Sequence, residues 1–121
     1  MKYEDLEDRL IDFAALVVRI AESLPDTRAA NILANQLLRS GTSSTLNYGE
    51  ARAGESIRDF LHKMRVALKE LRETFLCLKV IEKTELFSNK NDLLDAIKEN
   101  NELIAIFVAS CRTADKNRDR H

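Results

Sequence analysis

Gln36-Leu37-Leu38-Arg39-Ser40-Gly41-Thr42-Ser43-Ser44-Thr45-Leu46-Asn47-Tyr48-Gly49-Glu50-Ala51 is the one stretch of this chain in which local propensity and global pattern disagree. Gly41 through Thr45 has the composition of a loop. Yet Leu33, Leu37, Ser40, Ser44, Asn47 and Ala51 recur at steps of four and three, so a helical phase runs straight through the cluster. A glycine inside a helix costs roughly 1 kcal/mol relative to alanine, which keeps a loop as the competing reading. Small residues at Ser40, Gly41 and Ser44 supply a reason to accept that cost, because they let another backbone approach closely. The stretch is therefore expected to be the middle of a helix chosen for tight packing, and an irregular backbone at 41–45 would overturn that expectation.

Outward from this stretch the chain reads as ordinary amphipathic helix. Before it, Leu6, Leu10, Phe13, Val17, Ile20 and Leu24 form one stripe over residues 4–24, and Ile11, Ala14, Val18 and Ala21 form a second edge. Pro25 ends that helix, since it disfavours helical geometry at Leu24 and has no N–H, and Asp26 or Thr27 can cap the next one. After Ala53, Gly54 and Glu55 make a joint, and Ser56 with Asp59 resembles a helix N-terminus. The third helix shows the clearest periodicity, Ile57, Phe60, Met64, Leu68, Leu71, Phe75, Leu78 and Ile81 or Glu82, with Val66, Leu76 and Val80 off the stripe. Residues 84–91 read as a loop whose Leu86 and Phe87 fold back over the bundle end, with Ser88 or Asn91 capping the fourth helix. That helix carries Leu93, Ile97, Ile104, Phe107 or Val108, and Cys111, interrupted by Asn100 and Asn101.

Four helices with short connections make an all-α, antiparallel up-down-up-down bundle the economical topology. Residues 1–112 are expected to form this single domain, and 113–121, with nothing apolar beyond Ala114, a disordered polar tail. One stripe per helix suffices for a bundle core, so the second edges on helices one and three point to a contact with another subunit. Cys77 and Cys111 lie apart, in no CxxC pair, as small hydrophobes of a reducing compartment do. The acidic N-terminus lacks the pattern of a signal peptide, and no apolar run is long enough for a bilayer, so a cytoplasmic protein is expected, with no membrane partner.

The charges narrow the function classes. Nineteen Lys and Arg balance twenty Asp and Glu, so no global positive field draws the chain to phosphate. The distribution is uneven: residues 1–24 are net -3 and residues 54–84 net +2. A basic row of Arg58, Lys63, Arg65, Lys69 and Arg72, continuing to Lys79 and Lys83, is a candidate nucleic-acid face, but Glu55, Asp59, Glu70, Glu73 and Glu82 are interleaved and no aromatic platform accompanies it, which favours a solvated face. Arg39, Asn47 and Glu50 with Glu70 and Glu73 form a candidate network between helices or subunits that would set register; a set of solvated charges is the plain alternative. A dimetal carboxylate site needs two copies of Glu-x-x-His, and Asp59-x-x-His62 is the only approximation, with His121 in the tail. No nucleophile has a base at a telling spacing and no phosphate loop follows a strand, so no catalysis, cofactor or metal is expected.

The runs Gln36-Leu-Leu-Arg-Ser-Gly-Thr-Ser, Asn47-x-x-Glu50-Ala51, Ser56-x-x-Asp59-Phe60-x-x-Lys63 and Ala67-Leu-Lys-Glu-x-x-Glu73-Thr74 resemble the hallmark of four-helix bundle proteins related to those encoded in intervening sequences of bacterial 23S ribosomal RNA genes. The match spans about residues 4–112. The resemblance implies a small bacterial cytoplasmic protein that assembles into a ring-like homopentamer, with no known catalysis. One relative, the accessory variability protein of diversity-generating retroelements, is strongly basic, binds nucleic acid and partners a reverse transcriptase. This chain departs from it in near-neutral charge, and has Tyr48-Gly49 where many members have Ile-Ala. Two expectations stand side by side: a homo-oligomeric accessory protein associated with RNA or DNA, and an adaptor or scaffold whose ring binds another protein.

Overall fold

A computed structural model describes residues 3–119. Its elements are α1 (Tyr3–Glu22), α2 (Arg28–Arg52), α3 (Ile57–Thr84) and α4 (Lys90–Asp119). Each helix packs on its chain neighbours, α1 closes on α4 along the sparsest seam, and the diagonal pairs do not meet. Cross-helix pairings run in opposite senses: Leu33 with Cys77, Arg39 with Glu73 and Glu50 with Lys63 between α2 and α3, and Arg65 with Asp115 and Leu71 with Asn100 between α3 and α4. The result is the antiparallel four-helix bundle expected.

The helix ends follow local chemistry. Thr27 and Ser56 sit in extended backbone and accept from the N–H of Ala30 and Asp59, so each satisfies a donor that the first turn leaves open. α3 stops at Glu85, whose left-handed φ of 56° lets its N–H return to Glu82 and Ile81 while Leu86 N–H reaches the Ile81 carbonyl. Phe87 then folds into the core with Leu86 half-covered, as the sequence suggested. The α4 cap is Asn89, in place of the expected Ser88 or Asn91: its Oδ1 accepts from Asp92 N–H while its Nδ2 donates to the Asp92 carboxylate.

α2 is unbroken from Arg28 to Arg52, through Gly41–Thr45. Ser40, Gly41 and Ser44 all face inward. A Cβ built on Gly41 would stand 2.6 Å from Val17 Cγ1, so α1 packs closer than any side chain at 41 would permit. Thr45 Oγ1 donates to the Leu10 carbonyl at 3.3 Å across the same contact. On the other side of α2, the Ser40 and Thr74 hydroxyls bond at 2.8 Å in the core.

The core is formed by Leu6, Leu10, Phe13, Val17 and Ile20 of α1 much as expected, but the inward phase of the later helices is rotated. On α2, Tyr48 is buried and meets the Phe107 ring edge-on at 5.8 Å, whereas Asn47 lies beside it, half-covered. On α3, Leu61, Met64, Ala67, Leu71, Thr74, Leu78 and Ile81 face in, leaving Ile57, Phe60, Leu68 and Phe75 on the flank. On α4, Ala96, Asn100 and Leu103 point in, with Ile97 and Ile104 at the edge. On α3 and α4, helices pressed close together bury small residues such as Ala67, Thr74 and Ala96 at the contact line and leave larger apolar side chains beside it, whereas on α2 the large Tyr48 is the residue turned in. A further correction concerns residues 113–119, expected to be disordered: α4 continues through them, tied to α3 by the 2.6 Å bridge from Arg65 to Asp115. His121 lies outside the described residues.

Candidate functional site

The candidate polar network divides into separate parts on the α2–α3 seam. Arg39 bridges Glu70 at 3.1 Å and Glu73 at 2.7 Å, and also donates to Gln36 of its own helix. Lys63 pairs with Glu50 at 3.3 Å some turns away. Asn47 joins neither part; its amide donates to the Ser43 carbonyl and hydroxyl within α2. The bonds to Glu73 and Glu70 raise the Arg39 pKa, yet its guanidinium is half in water, so the bridges are screened and contribute little stability. The candidate residues thus form two sets of ion pairs along one seam, with Arg39 half in water and Asn47 outside both.

A second ladder, which the sequence pattern did not reveal, closes the sparse α1–α4 seam. Arg9 reaches both Glu99 and Glu102, and its hydrogen bond to Glu99 holds its pKa above the ordinary arginine value. Its partners lie 90 and 93 residues away, so no local periodicity could have paired them.

The outward face of α3 holds the candidate basic row. Arg58, Arg65, Lys69 and Arg72 are exposed along it at steps of seven, four and three, together with His62. Three of the acids that alternate with them in sequence are drawn into ion pairs. Glu70 and Glu73 turn to Arg39 on α2, Glu82 pairs with Lys79, and Asp59 is the only acid among the exposed positions of α3. Lys63 departs from the row, turned to Glu50, and Arg65 is engaged by Asp115. Arg58, Lys69 and Arg72 have no ion pair among the described residues. On the diagonally opposite helix, Asp5, Asp8, Asp12 and Glu22 are exposed, so the bundle has an acidic side and a basic side despite its net charge of -1.

The same outward face becomes apolar further along α3, where Leu76 and Val80 are 65% and 46% exposed, and Ile32 and Leu46 of α2 are also open to solvent. The Leu33–Cys77 pairing places Ile32 level with Val80. The second edge of α1 is mixed: Ile11 is exposed, Ala14 and Val18 half-buried, Ala21 buried. A shallow cleft of about 450 Å³ at the α2–α3 joint is bordered by Glu55, Ser56, Phe60 and Asn117. Among the described residues no cluster of His, Cys, Asp and Glu is placed to hold a metal, and no helix is long and apolar enough to cross a membrane. Cys77 and Cys111 are free buried thiols whose pKa values burial raises.

Fold and surface together define a four-helix bundle whose distinguishing features lie on its outer faces. The chain belongs to the 23S rRNA-intervening sequence protein family, whose model matches residues 5–109. It is similar to a crystal structure, at 1.70 Å resolution, of a protein of unknown function from the S23 ribosomal protein family of Bacteroides thetaiotaomicron VPI-5482. The two share a TM-score of 0.83 and 28% identity over 93% of this chain and 99% of that one. No curated protein matches the chain. The family-like runs quoted above have a common structural meaning: Gln36, Arg39 and Ser40 on α2 meet Glu70, Glu73 and Thr74 on α3, and Ser56 with Asp59 starts α3, so they specify the α2–α3 seam.

Proposed function

We propose that this protein is a non-enzymatic, self-assembling bundle of the bacterial cytoplasm that associates with RNA through the outward face of α3. The observation that carries the reading is the sorting of charge on that helix. Arg58, Arg65, Lys69 and Arg72 point to solvent while Glu70 and Glu73 are drawn sideways to Arg39, so a sequence with interleaved signs presents a positive face. A local patch of this kind attracts phosphate even when net charge is near zero, because screening limits the influence of the distant acidic side to about a Debye length, roughly 10 Å. The family's description as 23S rRNA-intervening supports RNA as the nucleic acid.

Mobility shifts with structured RNA at rising salt test the reading. Affinity is expected to fall steeply with salt, and Lys69→Glu with Arg72→Glu to weaken binding by about tenfold or more. Absence of binding at low ionic strength would sink the proposal.

Self-assembly, with a homopentameric ring as the expected form, is supported by the uncovered apolar side chains Ile32, Leu46, Leu76 and Val80. Light scattering on a size-exclusion column is expected to give several times the single-chain mass, and Leu76→Lys with Val80→Lys to shift it toward one chain. A monomer at micromolar concentration would refute assembly. An adaptor that binds another protein, such as a reverse transcriptase, becomes the preferred reading if the ring forms and RNA does not bind.

A further inference from the structure

The basic face does not end at α3. The Arg65–Asp115 bridge ties α3 to the last turns of α4, so the side of α4 that bears Asp115 adjoins the outward face of α3. Arg112 precedes Asp115 by three residues and Lys116 follows Arg112 by four, which makes the three neighbours on the helix surface. Both cations are exposed, and neither has an ion pair among the described residues. Asp115 is engaged by Arg65 and Arg118 at 2.6 and 3.1 Å. Two sets of unpaired cations thus flank the Arg65–Asp115 bridge: Arg58, Lys69 and Arg72 on α3, Arg112 and Lys116 on α4.

Dimensions and missing groups narrow what such a surface can hold. From Arg58 to Arg72 the row extends about 21 Å at roughly 1.5 Å per residue, and packed helix axes lie about 8–10 Å apart. Proteins that hold single strands stack the bases on exposed aromatic rings. Here Phe13, Tyr48, Phe87 and Phe107 are buried, and Phe60 and Phe75 are half-buried, Phe60 packed against the core and bordering the cleft at the α2–α3 joint. A surface with cations on two helices and, among the described residues, no fully exposed aromatic ring can grip two phosphate strands but offers little to unpaired bases.

The geometry points to a double-helical nucleic acid as the ligand, held by the phosphates of both strands, one strand to the α3 row and one to the α4 row, without reading base sequence. This rests on the nucleic-acid reading above and adds the form of the ligand and the residues of α4.

Fluorescence anisotropy with a short mixed-sequence RNA duplex, the corresponding DNA duplex and each separate strand tests it. The full chain is expected to bind a duplex about tenfold or more tighter than either strand, with log affinity falling against log salt at a slope of about -4, as for some five neutralised phosphates. Arg112→Ala with Lys116→Ala should weaken duplex binding about tenfold and reduce the slope by about 2. Arg19→Ala, which removes an exposed cation from α1 on the opposite side, should change neither. Equal or tighter binding of single strands, or a duplex slope untouched by the α4 double substitution, overturns the inference while leaving RNA association intact. Absence of binding to every one of these probes overturns the broader reading as well. The RNA and DNA duplex arms assign the preferred helical form in either supporting case.

Discussion

Gly41 and Gly49 lie about two turns apart in one helix and meet opposite surroundings. At Gly41 an added Cβ would stand 2.6 Å from Val17 Cγ1 and 3.3 Å from Val17 Cβ, whereas at Gly49 nothing lies within 4 Å. The same residue type therefore serves a close approach in one place and carries only its propensity cost in the other. Small residues in a helix are informative only once the neighbouring backbone is known. The cluster at 40–44 is matched by α1 on one side and Thr74 on the other, and the glycine at 49 is open to solvent.

The sharpest way to break this contrast is Gly41→Ala. The new methyl must displace Val17, which is fully buried and has little room to move, so a loss of about 1–3 kcal/mol is expected in urea unfolding despite alanine's better helix propensity. Repeating it in a Val17→Ala background should recover about 1 kcal/mol or more of that loss through the coupling term of a double-mutant cycle. Strict additivity would mean that the 2.6 Å approach is not what limits position 41.

Gly49→Ala should act in the opposite direction, raising stability by about 0.5–1 kcal/mol, because it removes a helix-interior glycine without meeting another atom. A loss of assembled mass in light scattering on the same variant would instead place a neighbouring subunit against Gly49.

The smallest effect concerns the thiols of the same packed helices. Burial raises the pKa of Cys77, which also donates to the Leu33 carbonyl at 3.4 Å. Burial raises that of Cys111 too, with Asp115 adding to the shift and Arg65 opposing it. The folded state then holds these protons more tightly than the unfolded one. The stability they contribute is full below the ordinary thiol value of about 8.5 and is lost as pH rises through the raised values. A mild decline in unfolding midpoint above that pH is expected, and Cys77→Ala with Cys111→Ala should flatten it.

Much of the architecture was legible in the sequence because it is written in local periodicity. The α1 stripe, the caps at Thr27 and Ser56, the return of Phe87 and the continuity of α2 all depend on residues a few positions apart. The phase of the later helices was less legible, since large apolar residues such as Phe60 and Phe75 weigh heavily in a pattern while Ala67 and Thr74 occupy the contact line. The extension of α4 was missed for a related reason: residues 113–119 have almost nothing to bury, and are fastened by the charge of Asp115 to Arg65 fifty residues earlier.

The candidate surface divides in the same way. The sequence by itself determined that there would be four amphipathic helices in one bundle, that Ser40-Gly41 would lie within the second, and which basic residues the third would carry. Only the tertiary structure decided which of those charges stand free. Arg39 draws Glu70 and Glu73 off the outward face, Glu50 takes Lys63, and Asp115 brings Arg112 and Lys116 alongside α3. The physical reason is range: helical periodicity is set by neighbours three and four residues apart, whereas a charged face depends on which distant partners the packed helices bring within bonding distance.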